Sequence, residues 1–152
     1  MPDQPHPIPE EANALSRMRE IIDADAFARR LGIELLALGP GYSKMSMRVT
    51  DDMVNFHGTT HGAAIFALAD AAFAAAGNSR GRVSLALHVA INYLAATEPG
   101  ETLYAEAREE YVGRRTALYR LTVTDARGHL IASCQALAYQ KNEWWTESSS
   151  EG

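Results

Sequence analysis

The chain has 152 residues, of which 47% are hydrophobic and 22% charged, a length and balance typical of one soluble globular domain with its own core. Fourteen Lys and Arg against 19 Asp and Glu give a net charge of −5, which argues against a generally basic nucleic-acid-binding surface. The single cysteine, Cys134, excludes an intrachain disulfide framework and favours a reducing, cytoplasmic location.

The two ends of the chain differ in composition from the middle. Prolines at positions 2, 5, 7 and 9 predict a flexible lead-in over residues 1–9, which also lacks the features of a secretory signal peptide. Residues 142–152 are rich in Glu and Ser and predict a disordered polar tail. Residues 10–141 are then the single predicted domain. Its longest apolar run, residues 63–77, is interrupted by Asp70, so no membrane span is predicted.

Hydrophobic periodicity predicts the first elements in chain order. Apolar residues recur every three or four positions over residues 10–31, which predicts an amphipathic helix that ends at Gly32. Two alternating runs, 33–38 and 42–50, flank a Gly-Pro-Gly turn and predict a β-hairpin. Residues 61–77 predict a helix that is apolar on nearly all sides and therefore largely buried.

Four more strands are predicted between residues 83 and 139, joined by short turns. In the first of them, one face is predicted to carry Val83, Leu85, Leu87, Val89, Ile91 and Tyr93. Short connections imply antiparallel neighbours. We therefore predict an α+β fold, in which a six-stranded antiparallel sheet wraps around the long central helix, with an extra N-terminal helix.

Asp70 is the one ionised side chain between Asp52 and Arg80, and it lies in the middle of the central helix. Aspartate is a poor residue for a helix interior and is costly to bury without a partner. Three interpretations remain open: a solvated stripe, a structural partner for a buried arginine or amide, or a carboxylate with a raised pKa that acts as base or nucleophile.

The start of the same helix carries the second candidate feature, His61-Gly62, with Asn55 in the preceding loop. A helix N-terminus presents unpaired N–H groups, and a glycine there lets a ligand carbonyl approach them, as in an oxyanion site. A simple helix cap is the alternative explanation of the His-Gly pair.

Spacing limits how these two features can cooperate. Gly62 and Asp70 are eight residues apart, which is about 12 Å along a helix axis, whereas an attacking group must lie within about 3.5 Å of its carbonyl. If both act on one carbonyl, Asp70 must come from the antiparallel helix of a second subunit, and a two-fold dimer then has two equivalent sites. Alanines on this helix would permit such close approach.

The motif Asn55-x5-His61-Gly62-x7-Asp70 resembles that of the PaaI-type hotdog acyl-CoA thioesterases of phenylacetate degradation, and the similarity extends over about residues 23–139. The resemblance implies a hotdog fold and a cytoplasmic homodimer, extended to a homotetramer. In one respect the chain departs from the pattern, because Ala63 stands where the family often has a second glycine, and its methyl group is expected to narrow the acyl pocket.

The resemblance also implies roles for individual residues. Gly62 supplies the N–H that polarises the thioester carbonyl, and Asp70 of the opposite subunit is nucleophile or general base. Asn55 orients the carbonyl or the attacking water. His61, also expected to be catalytic, steadies the loop and assists the thiolate or the water. The expected substrate-binding residues are Ala63, Asn78, Ser79, Arg80, Arg114 and Arg115, the arginines as partners for the phosphates of coenzyme A.

Thioester hydrolysis requires no metal and no cofactor, and the chain lacks the familiar metal, dinucleotide and nucleotide motifs. The expected substrate is phenylacetyl- or hydroxyphenylacetyl-CoA, with a medium-chain or other aryl acyl-CoA as the alternative. Neither a nucleic acid nor a membrane is expected as a partner. Two other functions remain open: a hotdog hydratase or dehydratase, and a non-catalytic acyl-CoA-binding protein.

Overall fold

The computed structural model of the protein describes residues 11–145, so the predicted lead-in over residues 1–9 and residues 146–152 of the predicted tail lie outside the described residues. The α-helices in the described range are α1 (Glu11–Asp23), α2 (Ala26–Arg30) and α3 (Gly62–Asn78). The strands in that range are β1 (Glu34–Gly39), β2 (Tyr42–Arg48), β3 (Arg82–Tyr93), β4 (Thr102–Val112), β5 (Thr116–Asp125) and β6 (Leu130–Trp144).

The strands form one sheet in the order β1-β2-β4-β5-β6-β3, and every neighbouring pair is antiparallel. Helix α3 packs against this sheet, and its Leu68, Ala69 and Ala72 have no exposed surface. Burial of a leucine such as Leu68 stabilises a fold by about 1.5–3 kcal/mol. The predicted α+β fold, a six-stranded antiparallel sheet around a central helix with helical structure at the N-terminal side, is confirmed.

The N-terminal helical region contains a break that periodicity did not predict. One continuous helix was expected over residues 10–31, but α1 ends at Asp23 and α2 begins at Ala26. Asp25 caps α2, since its side chain accepts a hydrogen bond from the amide of Ala28 at 3.0 Å. Aspartate favours this capping position over a helix interior, which explains the break. Gly32 follows α2 with a φ of +69°, as expected for a glycine after a helix.

Strand β3 contains a β-bulge, so its predicted single apolar face is wrong. Leu85 pairs with Tyr139 and Val89 pairs with Ala136, with a register shift between them. An extra residue in one strand moves the following side chains to the opposite face. Val89 therefore packs against the core, whereas Leu85 and Leu87 are 50% and 56% exposed.

The C-terminal strand extends further than the predicted domain boundary at residue 141. Residues 142–144, expected in the tail, continue β6. Trp145 then donates from its backbone to the carbonyl of Gly81 at 2.7 Å and from its ring Nε1 to Oδ1 of Asn78 at 2.9 Å. These partners are distant in sequence, so local composition could not reveal them. None of the helices in residues 11–145 is long and apolar enough to cross a membrane.

Candidate active site

The first turn of α3 leaves one backbone amide without an acceptor. His61 is the N-cap: its Nδ1 accepts a hydrogen bond from the amide of Ala63 at 3.0 Å. The carbonyl of His61 accepts from the amides of Ala64 and Ile65 at 3.0 and 3.3 Å. Among the described residues, nothing accepts the remaining N–H, that of Gly62. The helix therefore directs a single free N–H at its positive end outward, the arrangement that stabilises an oxyanion.

Asn55 is held in the loop before α3 by its own turn. Its Oδ1 accepts hydrogen bonds from the amides of His57 and Thr59 at 2.9 and 3.3 Å, and its Nδ2 donates to Oγ1 of Thr59 at 2.9 Å. With the amide oxygen directed into the loop, the side chain cannot flip without losing these bonds. One hydrogen of Nδ2 then remains available to a ligand.

Asn55 and Gly62 line the same cavity, which has a volume of about 340 Å³. Its polar groups come from the loop and the helix start, and its apolar wall comes from α3, the end of β3 and the segment that follows. The lining residues are Asn55, Thr59, Thr60, Gly62, Ile65, Tyr93, Leu94, Ala95 and Ala96. The structure thus brings together two of the predicted site residues, with His61 beside them as the cap.

Asp70 lies on the side of α3 that the sheet leaves partly uncovered, together with Ala63, Ala67 and Ala74. The carboxylate has no hydrogen bond or ion pair within residues 11–145, so no buried arginine is its partner. Burial raises the pKa of the Asp70 carboxyl above its ordinary value, and the negative charge of Asp25 raises it further. An unpaired, partly buried carboxylate of this kind can accept a proton from water or a substrate.

Within one chain, however, Asp70 does not reach the cavity at Gly62. Both residues belong to the continuous helix α3, so about 12 Å of helix axis separates them. The small side chains around Asp70 leave room for another helix to approach. The structure thus places the Gly62 amide at the start of α3 and the Asp70 carboxylate at its middle, at two separate positions.

Asn78 and Ser79 lie at the far end of α3, about 24 Å along the helix from Gly62. The Nδ2 of Asn78 donates to the carbonyls of Ala74 and Ser84 at 2.8 and 3.2 Å. The hydroxyl of Ser79 accepts from the amide of Gly41 at 2.8 Å and is buried. These bonds fasten the end of α3 to the sheet, and the structure does not bring either residue to the cavity of its own chain.

The predicted phosphate-binding arginines lie near the same far end. Arg80 forms an ion pair with Glu109, with 3.0 Å between Nη2 and Oε1. Arg114 and Arg115 line a second cavity of about 310 Å³ together with Arg82. Arg82 donates to the carbonyls of Lys141 and Arg114. The side chains of Arg114 and Arg115 are exposed.

Tyr93 is a cavity residue that the sequence did not single out. Its hydroxyl donates to the carbonyl of Gly62 at 3.1 Å. Nothing in an alternating strand distinguishes this tyrosine from the others, since the contact joins residues 31 positions apart. Within residues 11–145, no cluster of three or more His, Cys, Asp or Glu side chains is arranged to bind a metal ion.

Comparison with known proteins identifies the family of the chain. Residues 57–132 match the model of the thioesterase superfamily. The acyl-coenzyme A thioesterase PaaI of Escherichia coli is 35% identical over 108 residues, which is 71% of this chain and 77% of the relative. The E. coli PaaI structure aligns with a TM-score of 0.82 over 86% of this chain and 95% of its own.

Two further structures extend the similarity. A mutant of the phenylacetic acid degradation protein PaaI from Thermus thermophilus is 37% identical and aligns with a TM-score of 0.74, covering 77% of this chain and all of that one. A Streptococcus mutans protein bound to acetyl-CoA is 27% identical, with a TM-score of 0.69, covering 72% and 88% of the two chains. The chain belongs to the thioesterase superfamily and is an acyl-CoA thioesterase of the PaaI-type hotdog group.

Proposed function

We propose that this acyl-CoA thioesterase hydrolyses aryl-acetyl-CoA thioesters, phenylacetyl- or hydroxyphenylacetyl-CoA, at sites shared by two subunits. The E. coli and T. thermophilus relatives are named for phenylacetic acid degradation, and the S. mutans relative was solved with acetyl-CoA. The observation that carries the proposal is on α3: a free amide at Gly62 and an unpaired carboxylate at Asp70, too far apart to act together in one chain.

In the proposed reaction, the thioester oxygen accepts hydrogen bonds from the N–H of Gly62 and from Nδ2 of Asn55. Asp70 of the partner subunit takes a proton from water as the water oxygen bonds to the carbonyl carbon. Alternatively, the Asp70 carboxylate attacks that carbon itself, coenzyme A leaves, and water then hydrolyses the resulting acyl anhydride to release the acid and the free carboxylate. The tetrahedral oxyanion forms opposite the positive end of α3, where it is stabilised. Collapse of the intermediate breaks the C–S bond, and coenzyme A leaves as a thiolate that takes up a proton.

Features of β3 support the dimer that this mechanism requires. The strand is at the edge of the sheet, so one side of its backbone is unpaired within the chain. Its Leu85 and Leu87 are half-exposed, as are Tyr93 and the following Leu94. Exposed apolar edge strands are templates for pairing with another chain. Antiparallel pairing of two β3 strands across a two-fold axis would place the two α3 helices side by side in opposite directions.

The same two-fold axis gives a role to the residues at the far end of α3. If Asp70 of the partner subunit lies opposite Gly62, then Asn78 and Ser79 of the partner extend about 12 Å beyond it. Arg80, Arg114 and Arg115, which lie near that end, would follow and meet the phosphates of coenzyme A. Ala63, exposed at the first turn, would narrow the acyl pocket. A dimer of dimers and a cytoplasmic location remain predictions.

Complementation between two defective variants tests the shared site. Asp70→Asn removes the carboxylate. Asn55→Asp keeps a side-chain oxygen that can accept the amides of His57 and Thr59, but it replaces the amide donor with a negative charge. When the two are co-expressed in equal amounts, half of the dimers are mixed and each has one intact site, so about a quarter of wild-type activity should return. Mixed dimers that remain inactive would contradict the shared site.

The acyl group is tested with a panel of acyl-CoA substrates, followed by release of the free thiol. Phenylacetyl- and hydroxyphenylacetyl-CoA should give a higher kcat/KM than medium-chain acyl-CoA or benzoyl-CoA. A higher kcat/KM for a medium-chain acyl-CoA would be consistent with thioesterase activity but would overturn the proposed preference for aryl-acetyl groups.

A further inference from the structure

We propose that Tyr93 is a positioning residue that holds the oxyanion amide of Gly62 in place and favours glycine at position 62. The inference rests on the proposed role of Gly62 in thioester hydrolysis. It goes beyond that role because it assigns the accuracy of the amide's position to a side chain on another element, β3.

The contact between Tyr93 and Gly62 has a polar and a steric part. The hydroxyl donates to the Gly62 carbonyl at 3.1 Å. A Cβ atom added at Gly62 would lie 3.2–3.4 Å from Cζ, Cε1 and the hydroxyl oxygen of Tyr93. These distances are tighter than ordinary van der Waals contacts, so an added methyl group would have to push the ring or the helix start aside.

Backbone conformation does not explain the glycine. The glycines with positive φ in the described chain are Gly32, Gly41, Gly58, Gly81, Gly100 and Gly128. Gly62 is absent from this set, and it is the first residue of a regular helix, which requires no positive φ. The neighbouring Tyr93 ring supplies a reason for a residue without a side chain, because an added Cβ would lie closer to the ring than an ordinary van der Waals contact.

Tyr93 is the last residue of β3 and is anchored by strand pairing. Tyr93 pairs with Ala132 of β6, which is fully buried. The first turn of a helix, by contrast, has fewer internal hydrogen bonds than its middle and frays readily. The hydroxyl bond therefore joins the first turn of α3 to the sheet. Since displacements of about 1 Å at a reacting centre are costly to rate, this bond should affect kcat.

The first experiment is Tyr93→Phe, which keeps the ring and removes only the hydroxyl. Loss of one neutral hydrogen bond predicts a fall in kcat of about three- to tenfold, with KM within about twofold of the wild-type value and Tm lowered by no more than about 4 °C. Tyr104→Phe is the matched control. Its ring lies beneath the ammonium of Lys44, away from the site, so this variant should keep full activity. Wild-type kcat in Tyr93→Phe would overturn the hydrogen-bond part of the proposal.

A second pair of variants tests the steric part. Gly62→Ala should lower both kcat and Tm in the wild-type background. When combined with Tyr93→Leu, the same change should lower kcat and Tm much less, because the smaller leucine side chain leaves room for the added methyl group. Equal losses of kcat and Tm in the two backgrounds would overturn the proposal.

Failure of this inference can be told apart from failure of the proposed function. A wild-type protein that releases no thiol from any acyl-CoA contradicts the proposed function. The Tm comparison of Gly62→Ala with and without Tyr93→Leu still tests the contact in that case. An active wild-type enzyme with no coupling between the two positions contradicts the role of Tyr93 alone.

Discussion

The negative charge of Asp25, the N-cap of the short helix α2, acts on the carboxyl group of Asp70 in the middle of α3. Burial is the larger cause of the raised pKa of the Asp70 carboxyl, and the negative charge of Asp25 raises it further. Asp25 is held in place because its side chain accepts the amide of Ala28. The N-terminal helices therefore influence the protonation of the carboxylate proposed as the base.

Asp25→Asn should move the acidic limb of the activity profile. Asparagine also caps helices well, so α2 should remain intact while the negative charge is removed. The pKa of Asp70 then falls, and the carboxylate stays ionised to lower pH. We expect the acidic limb of kcat/KM against pH to shift to lower pH.

Asp23→Asn is the matched control for that shift. It removes the same charge two residues away, at the end of α1, and should leave the limb where it is in the wild type. An acidic limb that is unchanged by Asp25→Asn would contradict the coupling, and equal shifts in both variants would show that only overall charge matters.

Asp70→Asn should separate activity from stability. Loss of a general base costs about 10²- to 10⁴-fold in kcat.

The same variant should also change stability. The pKa of Asp70 is higher in the folded than in the unfolded protein, so the group stabilises the fold below the unfolded pKa, and this contribution is lost as pH rises through the folded pKa. At neutral pH the ionised carboxylate therefore destabilises the fold, and Asp70→Asn should have a higher Tm than the wild type. The gain in Tm should shrink below about pH 4, near the ordinary pKa of an aspartate. If Asp70→Asn has a lower Tm than the wild type at neutral pH, the claim that burial destabilises the ionised carboxylate is contradicted.

His61 should contribute to stability through its ring nitrogen. His61→Ala removes the acceptor for the Ala63 amide and should reduce the free energy of unfolding by about 1 kcal/mol. His61→Asn, which offers a side-chain oxygen at the same N-cap, should recover most of that loss. Both values come from urea unfolding at one protein concentration. Equal stability of the alanine variant and the wild type would show that the cap is not needed.

The edge strand β3 should control assembly and activity together. Leu87→Glu puts a charge on a side chain that is 56% exposed beside the β3 edge, and it should yield monomers with little thioesterase activity. Leu36→Glu on β1, the opposite edge strand, changes a residue that is 47% exposed and should keep an active dimer. Light scattering with thiol-release assays measures both properties. An active monomer of Leu87→Glu would rule out the shared site.

Some parts of this structure could be predicted from sequence, and others depend on contacts that sequence does not display. Asp70 could be recognised because a lone charge in an alanine-rich helix needs a physical reason, and the helix itself follows from its apolar run. The bulge in β3 could not be predicted, because strict alternation through Leu87 satisfies a regular strand equally well. The break at Asp25 was concealed by a periodic pattern on both sides.

Contacts between residues distant in sequence account for the remaining differences. The Tyr93 hydroxyl meets Gly62 only because the end of β3 lies beside the start of α3. The same holds for Trp145, whose ring nitrogen donates to Asn78 and so joins the chain beyond the predicted boundary to the end of α3. Charge and periodicity indicate which residues can take part in catalysis, whereas the arrangement of the sheet determines which of them are in contact.

Cys134 should be chemically inert in the folded protein and unnecessary for turnover. Its side chain is 4% exposed, and burial raises the pKa of the thiol to about 11, so almost no thiolate exists at neutral pH. Cys134→Ala should retain wild-type kcat, with a stability loss of about 1 kcal/mol from the small cavity. A thiol reagent at mildly alkaline pH should label the wild type only in denaturant. Rapid labelling of the native enzyme with loss of activity would instead place Cys134 within reach of the site.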